Sequence, residues 1–287
     1  MKLSEIHIRD PFILAENGTY YLYGTRGADT WGKGYGFDVY VSPDLETFSD
    51  PIEVFTPPKD FWSDENFWAP EVHKWNGKYY MFASFISDTR KRGTQILISD
   101  SPLGPFTPHS DGPVTPPQWH CLDGTFYADA SGVPYMIYCR EWKQSDCEIV
   151  GEIHAIRLTD DLSATIGEPI YLFSADKKAW IPKNPKRYVT DGPFMYQTTN
   201  GKPLLLWSSF GEEGYLEAIA YPENGNLTDK WIHIEKPLFE KDGGHGMVFK
   251  TFDGKLMFTY HSPNKTPFER PQLREIYEEN DMLYVKA

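Results

Sequence analysis

A short pattern that recurs five times along almost the whole chain constrains the fold more than any other feature of the sequence. Each copy reads as a strand, a glycine turn and a second strand. The copies open at Asp10-Pro11-Phe12-Ile13, Ala69-Pro70-Glu71-Val72, Asp123-Gly124-Thr125-Phe126, Asp191-Gly192-Pro193-Phe194 and His245-Gly246-Met247-Val248, at separations of 59, 54, 68 and 54 residues. The turns fall at Asn17-Gly18, Asn76-Gly77, Ser131-Gly132, Asn200-Gly201 and Asp253-Gly254, where a tight hairpin needs positive φ and glycine supplies it without steric cost. Apolar, Tyr-rich strands return from each turn, such as Tyr20-Tyr21-Leu22-Tyr23 and Tyr79-Tyr80-Met81-Phe82, and read as packing between units rather than a ligand stripe. After four of the hairpins a further β-rich stretch follows, at residues 39–41, 96–98, 153–157 and 216–220.

Three to four strands per unit, with almost no helical period, predict an all-β, five-bladed β-propeller spanning residues 1–287 as one domain. A β-sandwich is the alternative, but a sandwich repeats single strands, not whole hairpins in one phase. Ring closure is expected to join Ile6-His7-Ile8 to a strand within Met282 to Lys286.

The 287 residues carry 28 basic against 41 acidic side chains, a net charge of −13. That balance opposes binding to nucleic acid or to an anionic membrane, both of which recruit clustered Lys and Arg. The basic, proline-rich stretch 177–187 reads as a solvated loop. No run of 18 apolar residues and no signal-like amino terminus is present, so a cytoplasmic location is expected of the chain as given. Cys121, Cys139 and Cys147 are odd in number and lack metal-type spacing, which reads as free thiols.

In a propeller the first strand of each blade lines the axis, so the first position of the repeat gathers Asp10, Ala69, Asp123, Asp191 and His245 at one end of the channel. Period-two alternation sends the third position the same way: Phe12, Glu71, Thr125, Pro193 and Met247. An Asp before Pro or Gly is also a common turn device. Three carboxylates in equivalent phase around one axis repel one another, however, and such clusters are more often functional.

With these segments in this order, the sequence resembles glycoside hydrolase family 43. The carriers are Arg9-Asp10-Pro11-Phe12-Ile13, Trp68-Ala69-Pro70-Glu71-Val72, Leu122-Asp123-Gly124-Thr125-Phe126, Asp191-Gly192-Pro193-Phe194 and Gly244-His245-Gly246. The resemblance implies an inverting, five-bladed glycosidase acting mostly on α-L-arabinofuranosides and β-D-xylosides, with Asp10 as general base and Asp191 as general acid. Asp123 is then the carboxylate that orients the acid and raises its pKa. His245 matches an axial histidine that holds water or a structural calcium in many members; the bland reading is a turn cap. No cofactor is required for the reaction itself.

One position departs from the family pattern, because the acid is usually Glu in a Glu-Gly-Pro setting and here it is Asp191. A shorter acid leaves three outcomes: it works with an adjusted backbone, Glu212 or Glu213 substitutes, or turnover is crippled. The first is favoured because the rest of the constellation is intact. Candidate sugar contacts are Trp31, Phe67, Trp68, Glu71 and Trp119, with Arg270 reaching in from the fifth unit; each aromatic has an alternative role in packing. The expected partner is an oligosaccharide or polysaccharide, and the leading function is an exo-α-L-arabinofuranosidase. A β-D-xylosidase or related glycosidase, and a carbohydrate-binding propeller without turnover, are the alternatives; oligomeric state is left open.

Overall fold

A computed structural model describes the chain except residues 145–148, 177, 179, 183–186 and 287. Cys147 and much of the basic stretch 177–187 therefore lie outside the described residues. Among the described residues, twenty strands follow one another in five groups of four. Blade one holds β1 (Ile8–Glu16), β2 (Thr19–Arg26), β3 (Phe37–Ser42) and β4 (Ile52–Phe55). Blade two holds β5 (Glu65–Trp75), β6 (Lys78–Ile86), β7 (Gly93–Ser99) and β8 (Thr107–Pro108). Blade three holds β9 (Cys121–Ala128), β10 (Pro134–Gln144), β11 (Ile149–Leu158) and β12 (Thr165–Ser174). Blade four holds β13 (Asp191–Gln197), β14 (Pro203–Gly211), β15 (Gly214–Pro222) and β16 (Trp231–His233). Blade five holds β17 (Gly244–Lys250), β18 (Leu256–Ser262), β19 (Arg270–Glu279) and β20 (Met282–Val285).

Every blade is an antiparallel meander whose hydrogen-bonded neighbours are consecutive in sequence. All five expected turn glycines have positive φ: Gly18 (76°), Gly77 (81°), Gly132 (81°), Gly201 (86°) and Gly254 (90°). The result is the five-bladed β-propeller the repeat predicts. Its cores lie where blades meet. Between blades one and two, Phe37, Phe55, Phe67 and Phe85 are buried against one another. Leu205 and Trp207 of blade four meet Ile137 and Ile153 of blade three, and Leu204 and Leu206 meet Phe258 and Tyr260 of blade five. Each such aromatic or aliphatic side chain contributes roughly 1.5–3 kcal/mol through burial.

The ring closes differently from the expectation. Met282–Val285 pairs with β19 and completes blade five, while Ile8 opens blade one, so the termini share no strand. Side chains close the gap instead. The Arg270 guanidinium donates to the Ser4 carbonyl (3.0 Å) and to His7 Nε2 (2.9 Å), and the Tyr20 hydroxyl accepts from the Phe252 amide (3.1 Å).

Candidate active site

Each inner strand is interrupted at the same place. The register slips between Arg9 and Phe12, Trp68 and Glu71, Leu122 and Thr125, Asp191 and Phe194, and Gly244 and Met247. Immediately inside each bulge one residue takes a left-handed backbone: Asp10 (φ 54°), Ala69 (48°), Asp123 (54°), Gly192 (48°) and His245 (52°). Non-glycine residues avoid that region, and a bulge that re-aims side chains is a recurrent reason to hold them there.

This register corrects the phase of the fourth repeat. Gly192 is the equivalent of Asp10, Asp123 and His245, and Asp191 sits one residue earlier, level with Arg9, Trp68 and Leu122. The third-position residue of that blade is accordingly Phe194, not Pro193. Gly192 has a steric reason as well as a conformational one, since a Cβ there would lie 2.7 Å from the His245 ring.

The bulges are tied together around the axis. The side chain opposite the residue before each bulge is Thr25, Ser84, Cys139, Ser208 and His261 in blades one to five. Four of these accept the bulge amide of the next blade: Ala69 N–H to Thr25 (2.8 Å), Asp123 N–H to Ser84 (2.9 Å), His245 N–H to Ser208 (2.6 Å) and Asp10 N–H to His261 Nδ1 (3.1 Å). Blade three offers a thiol, a weak acceptor. There the Gly192 amide donates to Asp123 Oδ2 instead, at 3.0 Å.

Asp10, Asp123, Asp191 and His245, all at or beside these bulges, line one cavity of about 670 Å³ at the end of the axis where the inner strands begin. His245 Nδ1 lies 3.1 Å from Asp10 Oδ1 and 3.8 Å from Asp123 Oδ2. The Thr25 hydroxyl donates to Asp10 Oδ2 at 2.6 Å, and Arg9 Nε is 3.5 Å from Asp10 Oδ1. The Tyr215 hydroxyl, whose ring stacks on His261, donates to Asp191 Oδ2 at 3.1 Å.

These surroundings separate the three carboxyls. Burial alone would raise Asp10, but the charges of His245 and Arg9 and the hydrogen bond from His245 hold it well below the usual carboxylate range. Burial pushes Asp191 up to about 6, against the pull of His245, Arg9 and the Tyr215 hydroxyl. Asp123 is pushed up to about 7 by burial, opposed by His245 and reinforced by the charges of Asp191 and Asp10. His245 loses proton affinity to burial, yet Asp10 and Asp123 carry it up to about 10, so it is an imidazolium at neutral pH. His261 is the opposite case: burial and the Arg9 charge take it down to about 3, and it accepts at Nδ1 as a neutral ring.

Of the other expected contacts, Trp31 and Trp68 line the cavity as an edge-to-face pair 5.2 Å apart. Trp68 Nε1 donates to the Thr30 carbonyl (2.6 Å) and Trp31 Nε1 to the Thr266 hydroxyl (3.1 Å), so loops of blades one and five brace this wall. Four expected residues do not line the cavity. Phe67 is buried between blades one and two, because its side chain falls on the blade-facing side of β5. Glu71 is buried and meets His73 Nε2 instead (3.0 Å). Trp119 packs on Arg140 and His154, and Arg270 is spent on ring closure.

Sequence reading missed Arg9, Glu141, Trp142, Phe210, Asn264 and Thr266, which also line the cavity, and Tyr215 behind Asp191. A signal existed for most of them. Glu141, Trp142, Phe210, Asn264 and Thr266 lie near or just after the carboxyl end of the second strand of their blades, the end that antiparallel pairing returns to the start of the inner strand.

The match to known proteins decides the family. The family model "Glycosyl hydrolases family 43" matches residues 3–280. The chain belongs to that family. Among solved structures, this family member is similar to an endo-arabinase from Bacteroides thetaiotaomicron VPI-5482, with 39% identity, 98% of both chains covered and a TM-score of 0.88. It is 26% identical to xylosidase/arabinosidase 43A of Humicola insolens over 49% of this chain and 46% of that protein, so the match spans under half of that relative's length. A xylosidase/arabinosidase of Bacteroides ovatus is 22% identical over 89% of this chain and 86% of its own. Family 43 enzymes are inverting glycoside hydrolases.

The axial calcium associated with many family members finds a poor donor set here. Among the described residues no group of three or more His, Cys, Asp or Glu side chains is placed to hold a metal ion. His245 turns Nδ1 toward Asp10, and calcium prefers six to eight oxygen ligands.

Proposed function

We propose that this protein hydrolyses α-L-arabinofuranosidic bonds in arabinose-containing oligosaccharides or polysaccharides, with inversion at the anomeric carbon. Asp10 is the general base, Asp191 the general acid, and Asp123 the neighbour that sets the proton affinity of the acid. The observation that carries this reading is the convergence of three carboxyls on one cavity, with Asp10 paired to the His245 ring (3.1 Å) and Asp191 to the Tyr215 hydroxyl (3.1 Å).

Asp10, ionised, takes a proton from water as the water oxygen bonds to the anomeric carbon. The bond from that carbon to the leaving oxygen breaks as Asp191 gives that oxygen its proton. Asp10 ends protonated and Asp191 ionised, and exchange with solvent restores both. The Tyr215 hydroxyl occupies Oδ2 of Asp191, which leaves Oδ1 to carry the donated proton. Glu212 and Glu213 are exposed on the turn between β14 and β15 and do not line the cavity, and Glu141, which does, is paired with Arg92 at 3.0 Å. Asp191 is thus the acid within reach despite its shorter side chain. Trp31, 61% exposed, and Trp68 offer aromatic faces to the C–H surface of a sugar.

The 39% identity to an endo-arabinase favours arabinose as the sugar and supports attack within a chain. Attack at a chain end, the exo reading, is supported by the wall that Trp31 and Thr266 build across blades one and five. The xylosidase/arabinosidase relatives favour β-D-xylosides as the second reading. Chromatography of early products from linear α-1,5-arabinan, an aryl α-L-arabinofuranoside and an aryl β-D-xyloside separates them. Arabinose alone from arabinan supports chain-end attack, and a ladder of oligosaccharides supports interior attack. Xylose from the xyloside alone supports the second reading, and no release from any substrate sinks the catalytic assignment.

A further inference from the structure

A second cavity, of about 410 Å³, lies on the same end of the propeller as the first. Its walls come from the loop after β6, which carries Arg90, Lys91 and Arg92, and from the segment leading into β9, which carries Thr115 and Trp119. Its volume falls in the range of ligand pockets, roughly 300–1,000 Å³. Three successive cations at one concavity stand out on a chain of net charge −13, and Asp111 is the one carboxylate among the residues lining it.

Arg90 and Lys91 are exposed, and among the described residues neither has an ion-pair partner within 4.0 Å; Lys91 Nζ donates to the Gln118 carbonyl at 2.8 Å. Arg92 is different. It is 7% exposed, its Nε donates to Glu141 Oε2 at 3.0 Å, and its guanidinium lies 3.7 Å from the centre of the Trp68 ring. Its Nη1 is buried without a hydrogen-bond partner. Glu141 and Trp68 both line the catalytic cavity, so Arg92 is the partition between the two cavities. Trp119, half-buried, adds an aromatic wall whose ring is backed by Arg140 at 4.4 Å.

Two exposed cations without an ion-pair partner among the described residues, together with an aromatic wall, suit a ligand with a carboxylate and a sugar face. We infer that this second cavity binds a uronic-acid residue carried on the polysaccharide whose neutral sugar occupies the catalytic cavity. The carboxylate sits beside Arg90 and Lys91, and the pyranose lies along Trp119. The link to a cleaved polysaccharide rests on the glycosidase reading above; the binding itself does not need turnover.

Saturation-transfer NMR and calorimetry on the whole protein test this with D-glucuronate, D-galacturonate, D-glucose and inorganic phosphate. The expected result is that a uronate binds, D-glucose does not, and the uronate affinity falls at least about tenfold in the double variant Arg90→Ala, Lys91→Ala. Cleavage of a neutral aryl arabinofuranoside by that variant stays unchanged, since neither residue lines the catalytic cavity. Uronate binding no tighter than D-glucose, or undiminished in the double variant, overturns the inference. Phosphate binding as tightly as either uronate reduces the cavity to a general anion site and overturns it too. Uronate binding by a protein that cleaves no glycoside leaves the cavity assigned and removes the glycosidase reading instead.

Discussion

The Gly192 amide donates to Asp123 Oδ2 at 3.0 Å, whereas the bulge amides of the other four blades donate to a second-strand side chain of the preceding blade. The difference traces to Cys139, which stands where the other blades have Thr25, Ser84, Ser208 and His261. One hydrogen bond that would otherwise only fasten two blades is thereby delivered to a carboxyl of the site, where it favours the ionised form. In Cys139→Ser the new hydroxyl competes for the Gly192 amide. Asp123 then keeps its proton to higher pH, puts less negative charge beside Asp191, and lets Asp191 ionise sooner. The alkaline limb of the kcat/KM profile is expected to move to lower pH by a few tenths of a unit, about 0.5 kcal/mol. An unmoved limb in a folded variant contradicts this role for the bond.

The wild-type pH profile is expected to follow the two carboxyls proposed as base and acid. A base works when ionised and an acid when protonated. Asp10, held well below the usual range, is ionised across the working span, so kcat/KM is expected to stay flat on the acid side. Asp191, pushed up to about 6 by burial, should produce a fall as pH rises through that region. Tyr215→Phe removes a hydrogen bond that favours ionised Asp191, and the alkaline limb should then move upward. A downward shift in that variant would contradict the pairing.

Asp10→Asn keeps the shape that accepts the Thr25 hydroxyl but cannot take a proton from water. Activity is expected to fall by about 10²–10⁴-fold, with the near-ultraviolet circular dichroism unchanged. Asp191→Asn should separate substrates by leaving group, with a large loss on arabino-oligosaccharides and a small one on an aryl glycoside whose phenol leaves unaided. Equal losses on both would remove Asp191 from the role of acid.

Glu217 allows a stability test apart from catalysis. It is fully buried, accepts from the Ser208 hydroxyl (2.7 Å) and the Gly246 amide (3.0 Å) through Oε2, and has Oε1 unpartnered. Burial pushes it up to about 8 from the ordinary 4.5. A folded-state value above the unfolded one means that its contribution is fully present below 4.5 and is lost as pH rises toward 8. At pH 7 the loss is about 3 kcal/mol. Glu217→Gln keeps an acceptor for both donors and cannot ionise. Its stability relative to wild type, from urea unfolding, should therefore rise steadily between pH 5 and about 8. A pH-independent difference would show that Glu217 is not held protonated.

The five blades were legible because each hairpin depends on a glycine turn that sequence cannot disguise, and Asp10, Asp123 and His245 were legible because all three open their repeats in the same phase. The fourth copy misled by one residue. Asp191-Gly192-Pro193 looks like Asp-Gly at the repeat's start, yet the left-handed position belongs to Gly192, and only the strand register shows it. Trp31 and Trp68 were found and Phe67 and Trp119 misplaced for one reason: an aromatic beside an inner strand faces either the cavity or the next blade, and composition does not say which. Tyr215 lay beyond reach, since its hydroxyl meets Asp191 only across the pairing of β14 with β15.

In the proposed reaction Asp10 and Asp191 act on opposite sides of the anomeric carbon in a single displacement. Proton NMR during hydrolysis of an aryl α-L-arabinofuranoside tests it most directly, by showing which anomer of the sugar appears before mutarotation. β-L-Arabinofuranose is expected first. Initial release of the α anomer would require a double displacement through a covalent intermediate, and would contradict the assignment of Asp10 as a base acting through water.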